Sequence, residues 1–257
     1  MKIILLGCGS SPGVPAIGCT CDVCQSPDPK NKRTRVSVAV HISGKTILID
    51  SSPDLRQQAL ANHLNQVDAV LYTHDHADHT HGLDELRSYN FLGKKPLPVY
   101  SDIHTLNDVA KRFPYAFQPY DPSKYGWYKP YLIPHTIIPG IPFTVEGITV
   151  LPFEQRHGKS LTIGYRIGDF AYSTDANVIP EESLALLKGL KLWIVDCLRY
   201  TPAPTHAHLG QALQWITHVK PERAILTHMN HDIEYHDLKK QLPIHVEPGY
   251  DGLVVHM

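Results

Sequence analysis

The segment from Tyr72 to Gly82, YTHDHADHTHG, places four histidines and two aspartates in eleven positions. Imidazole nitrogens and carboxylate oxygens are donors that zinc, manganese and iron accept. The pattern H-x-H-x-D-H follows an apolar run, Val67 to Tyr72 broken by Asp68, that reads as a buried strand. Donors at a strand end are held by a rigid scaffold and face a cleft. His74, His76, Asp78 and His79 fall within six residues, and adjacent side chains diverge too much for all four to surround one ion. Two cations sharing the loop relieve that conflict. A lone histidine would read as solvated surface, but so many imidazoles together have no packing purpose.

Two cations need further donors, and the second half of the chain offers three at expected strand ends. His157 follows TVLPFEQR, Asp175 closes FAYSTD and His228 closes RAILTH. With the first four they make seven, enough for three ligands per cation and one shared carboxylate. Three cysteines, Cys19, Cys21 and Cys24, crowd into CTCDVC and suggest a separate metal clip. A disulfide framework is a poor fit to an odd count of five cysteines in a chain of 257 residues. Cys8 and Cys197 lie beside apolar runs and read as small buried hydrophobes.

The elements that must position these residues are short runs of Ile and Val bounded by Gly, Pro or Asp. KIILLG, VSVAVHI, TILID and DAVLYTH read as strands in the first third; GITVLPFE, TIGYRIG, FAYSTD, LKLWIVDC and RAILTH follow in the second half. SPDLRQQALANHL, DIHTLNDVAKRF, PEESLALLKGL and GQALQWITHV read as helices. Paired strands followed by helices, twice over, predict two sheets packed face to face with helices outside. The stretch 113–142 is dense in Pro and Tyr and has no sustained period. Two readings of it stand side by side: a wall of a substrate pocket, or the edge of a homodimer.

Composition narrows the partners. The apolar fraction is 42%, and 24 basic residues balance 25 acidic ones without a long basic run. That argues against nucleic acid or an anionic membrane as partner. The apolar stretch of MKIILLGCGSS, Ile3 to Leu6, falls short of the roughly 7–15 residues of a signal core. No later run is long enough to span a bilayer, so a cytoplasmic protein is expected.

With H-x-H-x-D-H followed by a distant His, Asp and His, the sequence resembles the metallo-β-lactamase fold superfamily over essentially its whole length. The resemblance implies one α/β domain over 1–257, a four-layer αββα sandwich with its metals at one edge. It assigns His74, His76 and His157 to a first metal, Asp78, His79 and His228 to a second, and Asp175 to a bridge. GCGSSPGVPAIGCTCDVC and the late THMNH resemble the PhnP-like branch, which contains a phosphodiesterase of phosphoribosyl cyclic phosphate, a substrate that its other members need not share. This narrower likeness implies that His231 joins Cys19, Cys21 and Cys24 in a structural zinc site. The function it implies is a phosphodiesterase with two active-site divalent metals, zinc or manganese. A bridging hydroxide would attack a small cyclic or nucleotide-like phosphodiester, with Asp78 taking up the proton.

PAPTHAHLGQAL supplies two candidates for protonating the leaving group. The resemblance assigns His208, and His206 stands as the alternative. Lactone or thioester hydrolysis on the same metal core is a second enzymatic reading. A non-enzymatic carrier of the pyrroloquinoline-quinone accessory type is a third. Transfer-RNA 3′ processing shares the motif, but the balanced charge and the lack of a basic, glycine-rich arm count against it.

Overall fold

The computed structural model describes residues 1–121, 123 and 126–257, so Pro122, Lys124 and Tyr125 of the 113–142 stretch lie outside the described residues. Strands β1 (Lys2–Gly7), β2 (Ser37–Ile42), β3 (Lys45–Ile49), β4 (Ala69–Leu71), β5 (Leu97–Ser101) and β6 (Leu132–Thr136) belong to the first sheet. A second sheet takes β7 (Phe143–Val145), β8 (Ile148–His157), β9 (Ser160–Ile167), β10 (Phe170–Ser173), β11 (Leu192–Asp196), β12 (Arg223–Thr227) and β13 (Val246–Pro248). The last strand, β14 (Leu253–His256), returns to the first sheet beside β1. The orders are β14-β1-β2-β3-β4-β5-β6 and β13-β12-β11-β10-β9-β8-β7.

β1 shows why these strands read as unbroken apolar runs. Ile3 and Leu5 enter the core between the sheets, with Val40, Ile49, Phe153, Tyr165 and Leu226. Ile4 and Leu6 point the other way, into a second cluster with Leu48, Val70, Leu55, Leu86 and Leu106. Side chains alternate along a strand, so a strand covered on both faces must be apolar at every position. The covering helices are α2 (Leu55–Ala61), α4 (Arg87–Gly93) and α5 (Ile103–Arg112), with α6 (Glu181–Ala185), α7 (Leu209–Val219) and α8 (Tyr235–Gln241) from the second half. Two single-turn helices, α1 (Asp22–Gln25) and α3 (Ala77–Thr80), carry candidate ligands instead. This is the four-layer α/β sandwich that the patterning implied.

Each sheet changes from antiparallel to parallel pairing partway across. β3, β4, β5 and β6 run parallel, as do β10, β11, β12 and β13. Parallel strands end on the same edge, where α/β sheets place their ligands. The two sheets are tied beside that edge, where the Tyr165 hydroxyl donates to the Tyr72 carbonyl at 2.7 Å. The stretch 113–142 contributes more than loop: β6 lies inside it and extends the first sheet, with Leu97 opposite Leu132. Pro134 within β6 obscured that strand in the sequence. No helix among the described residues is long and apolar enough to cross a membrane.

Candidate metal centre

The histidine-rich loop leaves β4 under tight control. The Thr73 amide and hydroxyl both donate to the Asp50 carboxylate at 2.8 Å. His76 caps α3, which presents Asp78 and His79, and the Ser51 amide donates to the His79 carbonyl at 2.8 Å. The loops from β3 and β4 approach so closely that a Cβ on Gly82 would fall 1.9 Å from the Ser52 carbonyl oxygen.

Donors from four strand ends then converge. His74, His76, His157 and Asp175 form one group, and Asp78, His79, Asp175 and His228 another, with ligand atoms in each within 4.8 Å of one another. Asp175 faces both. Its Oδ2 lies 3.7 Å from His74 Nε2 and 3.9 Å from His157 Nε2, whereas its Oδ1 lies 3.1 Å from His79 Nε2 and 3.2 Å from His228 Nε2. Asp78 Oδ2 completes the second group at 3.4 Å from His79 Nε2 and 3.5 Å from His228 Nε2.

This donor set fits divalent cations. The Nε2 atoms of His74, His79 and His228 are buried without a hydrogen-bond partner, an expensive state for a polar atom unless it ligates. Several opposite ring nitrogens are occupied, which fixes the rings. His79 Nδ1 meets Asp50 Oδ2 at 2.8 Å, His157 Nδ1 meets the Thr205 carbonyl at 2.7 Å, and His74 Nδ1 meets the Thr73 hydroxyl at 3.0 Å. Such outer partners orient ligating imidazoles.

The charges balance internally. Burial alone would depress His79, but Asp175, Asp78 and Asp50 outweigh it and hold its pKa well above the ordinary imidazole value. His228 is likewise depressed by burial and lifted by Asp175 and Asp78, to about 9. Burial would raise Asp175, yet His228 and His79 draw it well below the carboxylate range. His74, where burial dominates, is pushed well below the ordinary value. Cations taking these donors displace the protons on His79 and His228, so metal uptake and proton release are linked.

The expectation for His208 meets a different geometry. His208 caps α7 without a side-chain cap bond, and its Nε2 would lie 3.2 Å from a Cβ placed on Gly210. The ring therefore rests over the first turn of the helix, and it makes no hydrogen bond, ion pair or ring contact with the donor cluster. His206 occupies the cluster instead. Its ring stacks on His228 with centroids 4.6 Å apart, and its Nε2 lies 3.9 Å from Asp175 Oδ2. The cause is Asp196, whose Oδ2 meets His206 Nδ1 at 3.2 Å and accepts from the Ala176 and Ala207 amides.

At the other cluster, the sulfurs of Cys19, Cys21 and Cys24 lie within 4.8 Å of one another. Cys21 caps α1 and accepts from the Cys24 amide, which lowers its pKa, while burial pushes Cys24 up to about 11. His231 is a neighbour through its backbone, with its carbonyl 3.9 Å from Cys21 Sγ. Its ring nitrogens are outside the compact donor group, although Nδ1 is buried and unpartnered.

Three residues that the sequence reading passed over support the cradle: Asp50, Asp196 and Ser11, whose hydroxyl donates to Asp78 Oδ2 at 2.7 Å. Asp50 and Asp196 had a signal in TILID and WIVD, each an aspartate closing an apolar strand like Asp175. Asp50, Asp175 and His228 also share positive φ values of 60°, 52° and 60°. Left-handed backbone at non-glycine residues is strained and concentrates at functional sites.

Comparison with known proteins places the chain. The β-lactamase superfamily domain matches residues 45–229. A protein of Porphyromonas gingivalis named octanoyltransferase is 40% identical over 98% of this chain and 51% of its own length. The chain thus spans about half the length of the curated relatives it matches. A crystal structure of a diphosphatase from the PhnP family superposes with a TM-score of 0.91 at 35% identity, covering 100% of this chain and 97% of that one. Zinc-bound PqqB from Methylobacterium extorquens shares the fold with a TM-score of 0.81 at 20% identity, covering 100% of both chains. The chain belongs to the β-lactamase superfamily domain family and, within it, to the PhnP-like branch of metallo-β-lactamase-fold hydrolases.

Proposed function

We propose that the chain is a dinuclear metal-dependent phosphodiesterase acting on a small cyclic or nucleotide-like phosphodiester. The observation that carries the reading is Asp175, whose two carboxylate oxygens face two separate imidazole groups. Cations held there would polarise phosphoryl oxygens and acidify water. The whole-length likeness to a diphosphatase of the PhnP family points to a phosphoryl centre.

The remaining chemistry falls to side chains. Asp196 Oδ2 engages His206 Nδ1, which leaves His206 Nε2 facing the cradle, where it can hold a proton and deliver it to a departing alkoxide. Burial would raise Asp78, but His79 and His228 hold it far below the carboxylate range. The cradle's buried wall, formed by His74, His79 and Asp175, keeps bulk water from these donors.

A second reading has one observation in its favour. The Porphyromonas gingivalis relative bears the name of an acyl transferase, and a thioester or lactone carbonyl would be polarised by the same cradle. Parallel assays with bis(p-nitrophenyl) phosphate, an octanoyl thioester and a lactone separate the readings. Turnover of the phosphodiester that rises and falls with metal loading is expected. A metal-loaded protein that cleaves the thioester and leaves the phosphodiester intact would sink the proposal.

A further inference from the structure

The glycine-rich segment GCGSSPG passes directly over the cradle, and nothing in the mechanism above uses it. It is held there by backbone bonds on both sides. The Met229 amide donates to the Cys8 carbonyl at 2.9 Å, and the Ser10 amide donates to the Met229 carbonyl at 3.2 Å. The Gly9 amide donates to the Thr34 carbonyl at 2.8 Å, and a Cβ on Gly9 would lie 2.6 Å from the Arg33 carbonyl oxygen. Glycine at position 9 permits that close approach. The Gly13 amide then donates to the Ser10 carbonyl at 2.7 Å, closing a turn with Ser11 at its tip.

Ser11 is exposed, yet its hydroxyl is aimed inward at Asp78 Oδ2, 2.7 Å away. That oxygen is the one facing His79 Nε2 and His228 Nε2. Asp78 lies on a four-residue helix whose capping residue, His76, makes no side-chain cap bond. Its carboxylate therefore takes its direction from Ser11 on one side and the two imidazoles on the other. Because the preceding residue, Ser10, is bonded to Met229, the residue after His228, the serine turn is tied to the His228 loop.

We infer that Ser11 is a positioning residue for the second cation, holding the Asp78 carboxylate so that Oδ2 stays directed at the His79–His228 side of the cradle. The inference rests on the cradle being a cation site, which the test examines without substrate. A hydroxyl bonded to a ligating carboxylate restricts its rotation, and loss of such an outer contact weakens metal affinity by about 10–100-fold. The alanine variant removes one exposed hydroxyl and no buried volume, so the fold is not at stake.

The experiment titrates the metal-depleted full chain with Co2+ by calorimetry and visible absorption, for wild type, Ser11→Ala and Ser11→Thr. Thiolate charge-transfer bands identify uptake at the cysteines and separate it from the two cradle steps. Ser11→Ala is expected to weaken one cradle step by about 10-fold or more, leave the other unchanged and alter the ligand-field bands. Ser11→Thr, which keeps the hydroxyl, is expected to restore both. Turnover should then show lower kcat with unchanged KM at limiting metal. Two unchanged cradle affinities in Ser11→Ala, or a raised KM as the sole defect, would overturn the positioning role. Failure of the wild type to take up cobalt at the cradle would overturn the site itself, a separate outcome.

Discussion

Cys19, Cys21 and Cys24 come from one loop and a few residues of chain, whereas the cradle donors come from four strand ends spread between His74 and His228. Cys24 lies in a single-turn helix that Cys21 caps, and two of the three cysteines are half-exposed; the cradle donors are mostly buried and braced by Asp50, Thr73 and Thr205. A local cluster needs little folded structure to gather its donors, and metal binding there adds directly to folding free energy. The cradle exists when both sheets are in place, because the first sheet supplies His74 to His79 and the second supplies His157, Asp175 and His228. On the proposed function one cluster would serve stability and the other chemistry, and substitutions should separate the two.

The largest expected effect is at Asp175. Asp175→Asn removes the charge that both imidazole groups face, so both cradle cations should be lost or weakened while the cysteine cluster keeps its metal. A loss of about 4 kcal/mol of transition-state stabilisation corresponds to roughly 10³-fold in kcat/KM. Elemental analysis and turnover on the same preparation check it. A variant that loses zinc from the cysteines as well would erase the distinction between the clusters.

Next is the pair His206 and His208. His206→Ala should lower kcat on a phosphodiester with a poor leaving group by about 10²–10⁴-fold, with cradle metal retained. The loss should shrink when the leaving group is p-nitrophenolate, which departs without a proton. His208→Ala should leave turnover near that of the wild type. The opposite result, a silent His206→Ala and a damaged His208→Ala, would return the role to the helix-capping residue.

That pair also marks how far the sequence could be read. The seven cradle donors were legible because each follows an apolar run and their types are chemically alike. The two sheets were legible because strands buried on both faces are apolar throughout. His206 and His208 could not be separated, since they are two residues apart in one segment and what distinguishes them is a side-chain bond from His206 to Asp196, which spacing alone does not reveal. Ser11 was invisible for a similar reason: its meaning lies in a bond to Asp78, 67 residues along the chain. β5, β6, β13 and β14 escaped because they are short and their sequences hold Pro or exposed positions at the sheet edge.

A smaller effect is expected at the cysteine cluster. Cys24→Ser should remove one zinc equivalent and leave the cradle ions in place. Thermal unfolding should move down by roughly 5–10 °C, the shift that about 2–4 kcal/mol produces in a chain of this size. If Cys24→Ser instead abolishes turnover at a temperature where the chain is folded, the cluster acts on the cradle and the division of labour fails.

The smallest effect concerns the segment that joins the two clusters. Cys8 and Thr34, which flank the loop carrying both Ser11 and the cysteines, are bound to Asp251. Its carboxylate accepts from the Cys8 amide at 3.1 Å, from the Thr34 amide at 2.7 Å and from the Thr34 hydroxyl at 2.6 Å. Burial nevertheless dominates these bonds and pushes Asp251 up to about 6. An unfolded chain would show the ordinary value of about 3.9, so the folded state binds the proton more tightly. The resulting stability is fully present below about pH 4 and is lost as pH rises through about 6, a change of at most about 2–3 kcal/mol. Denaturant unfolding across that window should show a downward slope with rising pH that Asp251→Asn flattens. Because Ser11 hangs on the same loop, the variant also tests whether the anchor matters to the cradle. Loss of a cation from the cradle in Asp251→Asn, with the cysteine metal retained, would mean that the loop transmits strain from Asp251 to Asp78.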